Sequence, residues 1–468
     1  MSTAASRLRA GGSAMVLLTM CLGLMLSMFN STLVNVTLPA IGTSFTASTT
    51  ELQWISSSYT LCYAAMLLPG GAIGNRWGRR RTFLVGISLF LVGSVVCAVA
   101  PGLAVLLAGR VAQALGAAWM LPQTLATLVH EYADLHARSR AVGIWAGVAS
   151  LGLSAGPVFG GIIVTVTTWR AGFWLCVALA ALTVALGAVA VPASRHGRPT
   201  EAPPVDLVGA GLSVVGLTAL VFALIESATH GWGSPLIWGG LAVFAVAALA
   251  FIALQHRMAR RGEVPLMPLR LWRSRGFVAA NLAGLVYFVA FFGILFFFSL
   301  DLQQVRGHSA LAAGLSFLPM TLVMAVLGPV AGRLTSRYGA LRVLAVGLVV
   351  AAVGALLLGL LRHDAGLADL EWRLAVVGLG AGLMSSPMST AAVSSVDAAH
   401  SSTASAVHNM LRQIGATLGV AALGVIVGAT GTPGFATGLD HAMLVVAALL
   451  AGCAALTVVL CPRPLSRP

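Results

Sequence analysis

The sequence contains no lysine. All 27 basic residues are arginines, set against only 13 acids in 468 residues, and charged residues make up 9% of the chain while hydrophobic ones make up 58%. So little charge cannot cover a soluble surface, which excludes a water-soluble globular fold. The six cysteines (Cys21, Cys62, Cys97, Cys176, Cys453 and Cys461) show neither metal-ligand spacing nor a disulfide framework, so they read as packing residues and no metal is expected. No nucleophile–base set is evident, and the glycine-rich stretches lie inside apolar segments. An enzyme and a nucleotide-binding protein are therefore not expected, and no catalytic residue is assigned. The net charge of +14 does not indicate a nucleic-acid partner either, because the arginines collect in alternate loops. No cleavable leader is expected, because the apolar run after Arg9 is long enough to stay as a helix.

What is present is a series of apolar blocks, each long enough for the ~20 residues that a bilayer crossing takes. The reading is an all-α polytopic membrane protein with fourteen spans. They lie near 14–39, 53–73, 82–100, 103–128, 140–164, 170–191, 206–226, 236–254, 277–301, 310–332, 341–361, 373–393, 403–429 and 441–460. Placing the arginine-rich loops in the cytoplasm leaves only Arg170, Arg306, Arg362 and Arg373 on the other side, with both termini inside. The chain also repeats itself. Gly71-x-Ile73-x-Asn75-Arg76-x-Gly78 returns as Gly332-x-Leu334-x-Ser336-Arg337-x-Gly339, and Gly152, Gly156 and Gly161 return at the same spacing as Gly415, Gly419 and Gly424. The expected organisation is a six-helix half at 1–191, two inserted helices at 206–254, a second six-helix half at 277–460 and a tail at 461–468. Two repeated halves are a transporter plan, with the substrate near the midplane.

Two stretches stand out on this frame. Gly152, Gly156 and Gly160 share one helix face that another backbone can approach closely, Gly161 adjoins it, and Pro157 removes a donor and bends the helix. Tight helix packing alone is the plainer reading. The second stretch is the loop Gly71 to Arg81, where Gly71, Asn75, Arg76, Gly78, Arg79 and Arg80 suit a latch that pairs arginines with helix C-terminal carbonyls and anionic lipid heads. A simple topology anchor is the alternative.

Polar residues within spans are costly and functional by default. Arg110 is the foremost, with Gln113 on the same face, and a structural ion pair or a snorkelling side chain is its alternative; Arg412 is the second buried cation, with interhelical pairing as its alternative. Glu226 and Asp301 close the outer ends of apolar runs and His408 lies inside one, so these three are the candidate proton carriers. A wet helix terminus or a packed polar residue is the competing reading. Phe29, Trp54, Tyr59, Trp119, Trp145 and Phe159 are candidate cavity aromatics, whereas Phe296, Phe297 and Phe298 are expected to face lipid. With two buried arginines and no midplane acid, the pathway is expected to prefer neutral, zwitterionic or anionic amphiphiles over cations.

The frame at 71–81, Arg110-x-x-Gln113-x-x-Gly116, and Gly152-x-x-x-Gly156-Pro157-x-x-Gly160-Gly161 resemble three signatures of the major facilitator superfamily, the third typical of its antiporters. Asn30-x-Thr32-Leu33-Val34-Asn35, Leu52-Gln53-Trp54 with Tyr59, Trp169-Arg170, Leu302-Gln303 with Gly307, and Arg412-Gln413 with Gly415 are similar to the fourteen-helix drug:proton antiporters of that superfamily. The resemblance implies the major facilitator fold and efflux of hydrophobic drugs or antibiotics from a cell's inner membrane. It also implies alternating access driven by proton entry, with lipids as surroundings, no cofactor, and a monomer. It implies a coupling role for Arg110 and for the position of Asn30. There, and at Asn75, the family carries an aspartate; asparagine keeps the hydrogen bonds but does not titrate. Ala114 stands where the family has glycine. The alternatives are a dedicated exporter of one metabolite, anionic in one version, with altered proton coupling, or a non-transporting receptor of the same fold.

Overall fold

The computed structural model describes residues 2–132, 134–192, 206–362, 365–397 and 400–461; the side chains of residues 2–11, Asn75, Leu135, Ser139 and Ser402 are outside that description. Asn75 as a latch residue and the tail beyond Cys461 therefore lie outside the described residues. Among the described residues there is no β-strand. The helices are α1 (Ser2–Phe45), α2 (Thr49–Trp77), α3 (Arg79–Ala98), α4 (Leu103–Glu131), α5 (Leu135–Val166), α6 (Trp169–Ala190), α7 (Leu207–His230) and α8 (Pro235–Arg260). They continue with α9 (Arg275–Leu300), α10 (Ala310–Ser316), α11 (Leu318–Tyr338), α12 (Ala340–Gly359), α13 (Leu367–Ser394), α14 (Ser401–Val427) and α15 (Phe435–Leu460).

Thirteen of the crossings are long and apolar enough to span a bilayer, with α10 and α11 counted as one. The fourteenth is α2, whose length of 29 residues is ample but whose sequence is diluted by Gln53, Ser56, Ser57, Ser58 and Thr60. The expected single span at 310–332 is broken at Phe317. Pro319 sits in the first turn of α11, where its missing N–H costs no helical bond but stops the helix from continuing backwards. Several starts are capped by side chains. Ser48 and Glu51 form a capping box on α2, Asp134 accepts from the Ala137 N–H, and Ser274 accepts from the Phe277 N–H.

The described residues form two compact units, one within Met1–Leu266 with Leu302–Leu315, the other within Met267–Asp301 with Ser316–Pro468. In the first, α1 packs on α5 and α6, α3 on α4 and α6, and α2 on α4, while the α7–α8 hairpin docks on α2. In the second, α9 packs on α14 and α15, α12 on α13 and α15, and α11 on α13. The packing plan repeats, and so do its close approaches. A Cβ on Gly93 would lie 2.6 Å from the Gln113 nitrogen, and one on Gly354 would lie 2.7 Å from the Val377 nitrogen. The turns before α3 and α12 are made by Gly78 (φ 89°, ψ 140°) and Gly339 (φ 88°, ψ 147°), a left-handed region that glycine alone enters freely.

One expectation fails here. Phe296, Phe297 and Phe298 do not face lipid; they are 0%, 0% and 1% exposed. Helices α12 to α15 all pack on α9, and a helix that is apolar on every side is a core helix.

Candidate functional site

Arg110 is buried in α4 with 1% of its surface exposed. Its Nε donates to the Ile55 carbonyl at 3.2 Å, its Nη1 donates to Gln113 Oε1 at 3.1 Å, and the guanidinium lies 4.5 Å from the centre of the Tyr59 ring. The helix ladder leaves a second lone pair on each carbonyl, and Ile55 uses it to hold the cation. Gln113 is set in turn by donating to Ser94 Oγ at 2.9 Å, and the Tyr59 hydroxyl pairs with Ser27 Oγ at 2.8 Å. Among the described residues no carboxylate acts on the Arg110 charge. Asn30 is fully buried beside the Tyr59 hydroxyl, and its Oδ1 accepts from the Cys176 thiol at 3.9 Å. Its Nδ2 is buried with no hydrogen-bond partner. The structure thus brings Asn30, Tyr59, Arg110 and Gln113 into one cluster joining α1, α2 and α4, without an acid among the described residues. Sequence reasoning missed Ser27, Ser94, Cys176 and the Ile55 carbonyl. Small hydroxyls and thiols are common in membrane helices, so nothing marked them.

The glycine face of α5 meets α1. A Cβ on Gly152 would lie 2.8 Å from the Met25 carbonyl oxygen, one on Gly156 would lie 2.9 Å from that of Phe29, and one on Gly160 would lie 3.0 Å from that of Leu33. Thr32 Oγ1 bridges the same seam to the Leu153 carbonyl at 3.1 Å. Gly161 and Pro157 instead meet the segment that follows α9: a Cβ on Gly161 would lie 3.0 Å from the Leu311 Cα, and Gly314 abuts the Pro157 carbonyl. In the loop after α2, Arg79 donates to the Ala126 carbonyl at 2.8 Å and Arg80 to the Ala188 carbonyl at 2.6 Å, near the C-terminal ends of α4 and α6. That is the favoured end of a helix for a cation. Arg76 is exposed, and Gly71 makes only an ordinary contact with Pro122.

The remaining candidates are dispersed. Trp54 donates its indole N–H to Glu226 Oε1 at 2.8 Å, and the other oxygen lies 3.5 Å from His230 Nδ1, so both residues join α2 to α7. Trp119 packs edge-on against Trp77, Trp145 donates to Thr124 Oγ1 at 3.1 Å, and Phe159 is 48% exposed with its edge toward Phe29. Asp301 is buried and opens the π-helical turn Asp301–Val305.

The second unit holds its own polar group. His408 is 2% exposed, with Nδ1 3.2 Å from Asn281 Oδ1 on α9. Arg412, one turn along α14, stacks 4.3 Å from the centre of the Phe288 ring and donates to Asn409 Oδ1 at 3.3 Å. Gln413 is buried beside it in sequence. Among the described residues no cluster of metal ligands occurs.

Comparison with known proteins agrees with this frame. The sequence model of the Major Facilitator Superfamily matches residues 20–420. The chain is 35% identical over 408 residues to the multidrug resistance protein Stp of Mycobacterium tuberculosis, covering 87% of this chain and 74% of that one. It is 32% identical over 440 residues to the methylenomycin A resistance protein of Bacillus subtilis, covering 93% of each. Among solved structures, a POT family transporter in complex with a thioalcohol-conjugated peptide superposes with a TM-score of 0.71 at 16% identity, over 96% of this chain and 95% of the other.

Proposed function

The chain belongs to the major facilitator superfamily, and on that premise we propose that it exports hydrophobic small molecules, antibiotics among them, across a bacterial inner membrane by proton antiport. Its relatives are named for antibiotic and multidrug resistance, and their shared span takes in nearly all of this chain. In this reading both termini lie in the cytoplasm, the proton gradient replaces a cofactor, and the protein works as a monomer among lipids. It transports rather than catalyses.

The observation that carries the reading is Arg110. A guanidinium buried without a carboxylate, fixed by a backbone carbonyl, an amide and an aromatic face, is expensive to maintain inside a membrane protein. Its retention points to a charge needed during transport. Substrate and proton binding exclude one another, and Arg110 sets the electrostatic level at which each is accepted. The Gly152–Gly160 seam keeps α5 and α1 too close for leakage, and Arg79 and Arg80 secure the ends of α4 and α6.

One observation favours a second reading, a dedicated exporter of an anionic metabolite. Asn30 puts a neutral amide beside Tyr59 in the Arg110 cluster, where an acid would have presented negative charge. The experiment is dye and antibiotic efflux in a pump-deficient host, comparing wild type with Arg110→Ala, with and without a protonophore. Broad efflux lost in both conditions is expected for proton-coupled drug export. Efflux confined to a single anionic compound selects the second reading, and a permanent dication as the best substrate overturns the preference for neutral and anionic cargo.

A further inference from the structure

We propose that the imidazole Nε2 of His408 is a proton-binding site that drives Arg412 away from its seat on Phe288. The inference rests on the antiport reading above and deepens it. It starts from the Asn281 amide, whose Nδ2 donates to the Phe277 carbonyl at 2.8 Å. That bond turns Oδ1 toward the imidazole, 3.2 Å from Nδ1. Oxygen accepts, so the hydrogen-bond network assigns the ring proton to Nδ1 and leaves Nε2 as a bare lone pair. Nε2 is buried and has no hydrogen-bond partner.

The packing then selects the ligand. Gly284 of α9 faces the ring, and a Cβ there would lie 2.9 Å from Cε1 of His408 and 3.2 Å from Cγ of Arg412. Even a methyl group is excluded between α9 and this face of α14. A proton needs no cavity, and it forms its bond to the lone pair of Nε2 within the existing packing of the ring. It arrives from water on one side, leaves to water on the other, and nothing is oxidised or reduced.

The charges nearby supply the consequence. Arg412 is the charged group that acts on His408, and Tyr287 of α9 acts on Arg412 in turn. Helices α13 and α15 also pack on α14 and, among the described residues, bring no charged group to His408. A proton on Nε2 therefore places two positive charges one turn apart on one helix face, in a low-dielectric setting with no carboxylate between them. The Arg412 side chain is half-buried, whereas His408 is enclosed, so Arg412 is the group that moves. Protonated His408 and Phe288-stacked Arg412 are then competing states of α14. The other candidates fit the role less well: Glu226 is committed to Trp54, and no carboxylate acts on Arg110.

The test is a pH titration of full-length protein carrying 15N-histidine in lipid nanodiscs, with the His408 signal identified among the ten histidines by its loss in H408Q. The expected result is a neutral, Nδ1-protonated ring at pH 8 that gains a proton on Nε2 by pH 5, and gains it earlier in the titration of R412Q. A ring that stays neutral to pH 5 in both proteins, or that carries its proton on Nε2 at pH 8, overturns the proposal. In everted vesicles with the neutral dye Nile red as the probe, H408Q and H408N are each expected to slow protonophore-sensitive uptake at least 10-fold, and wild-type rates in both would also overturn it. Should H408Q not elute as a single species, N281L, which removes the acceptor for Nδ1, replaces it and is expected to abolish the single tautomer. Wild-type vesicles whose Nile red uptake ignores the protonophore, or is absent, defeat the antiport reading instead, and the nanodisc titration still decides the site.

Discussion

Arg110, buried, and Arg412, half-buried, are cations in two units that share one packing plan, yet they occupy different places in it. The close approaches of Gly93 to Gln113 and of Gly354 to Val377 align α4 with α13, so Arg110 corresponds to Leu374 and Gln113 to Val377. The contacts of Gly152 with Met25 and of Gly415 with Leu285 align α5 with α14, so Arg412 corresponds to Ala149 and His408 to Trp145. Each unit is apolar where the other is charged. The repeat therefore preserves backbone geometry, down to the φ of Gly78 and Gly339, while the polar chemistry is specific to each unit. The two cations are also held differently. Arg110 is tied to a carbonyl on another helix, whereas Arg412 stacks on a ring and bonds within its own helix.

The comparison can be broken most severely by forcing symmetry. Leu374→Arg places a cation at a fully buried position with an apolar surround, and the loss of about 3–5 kcal/mol expected for an uncompensated buried charge should abolish monodisperse protein in fluorescence-detected size exclusion. Next comes Arg110→Lys, which keeps the charge but loses the guanidinium fork and the stacking on Tyr59. Efflux is expected to fall roughly 100-fold, equivalent to about 2.8 kcal/mol, measured as initial dye-efflux rate; an unaffected rate would show that charge alone matters. Gly156→Ala and Gly419→Ala press a methyl group into carbonyl oxygens of α1 and α9, and each should lower stability by about 1–3 kcal/mol in thermal unfolding. Gly143→Ala, facing open space on α5, should cost nothing, and unequal losses at 156 and 419 would show that the two seams are not equivalent. The smallest difference is between the two loops. Arg80→Ala removes a charge-assisted bond to the Ala188 carbonyl and should cost about 1.5 kcal/mol or slightly more, whereas Arg337→Ala removes only an exposed stack on Tyr338, about 0.5 kcal/mol.

Much of the architecture is legible in the sequence because a bilayer demands long apolar blocks and short loops, and because a charge inside such a block is conspicuous. Arg110, Gln113 and the Gly152–Gly161 face were found that way. What the sequence does not disclose is direction. A side chain facing lipid and one facing another helix are both apolar, so hydrophobicity stops reporting burial inside a membrane protein. That is why Phe296–Phe298 were misplaced, and why nothing announced that Trp54 bonds Glu226. The break at Phe317 was hidden for a related reason: Pro319 is tolerated at a helix start as well as at a kink, and the residues around it are uniformly apolar. Asn30 could be singled out only by resemblance, since its unsatisfied amide is a property of its neighbours.

The α7–α8 hairpin bears on how such a chain is made. Gln255 donates to Asp206 at its base, a Cβ on Gly216 would lie 3.2 Å from that of Ala247, and Glu226 receives the indole N–H of Trp54, a residue synthesised 172 positions earlier. These partners of the hairpin all precede or lie within it in the chain, so the first eight helices can assemble in the order of translation. The exception is residues 302–315. Gln303 donates to the Val36 carbonyl at 3.1 Å and Gly314 abuts Pro157, both on helices finished long before. The first unit is therefore completed only after α9 has been threaded, which makes α9 the step on which maturation of both units waits.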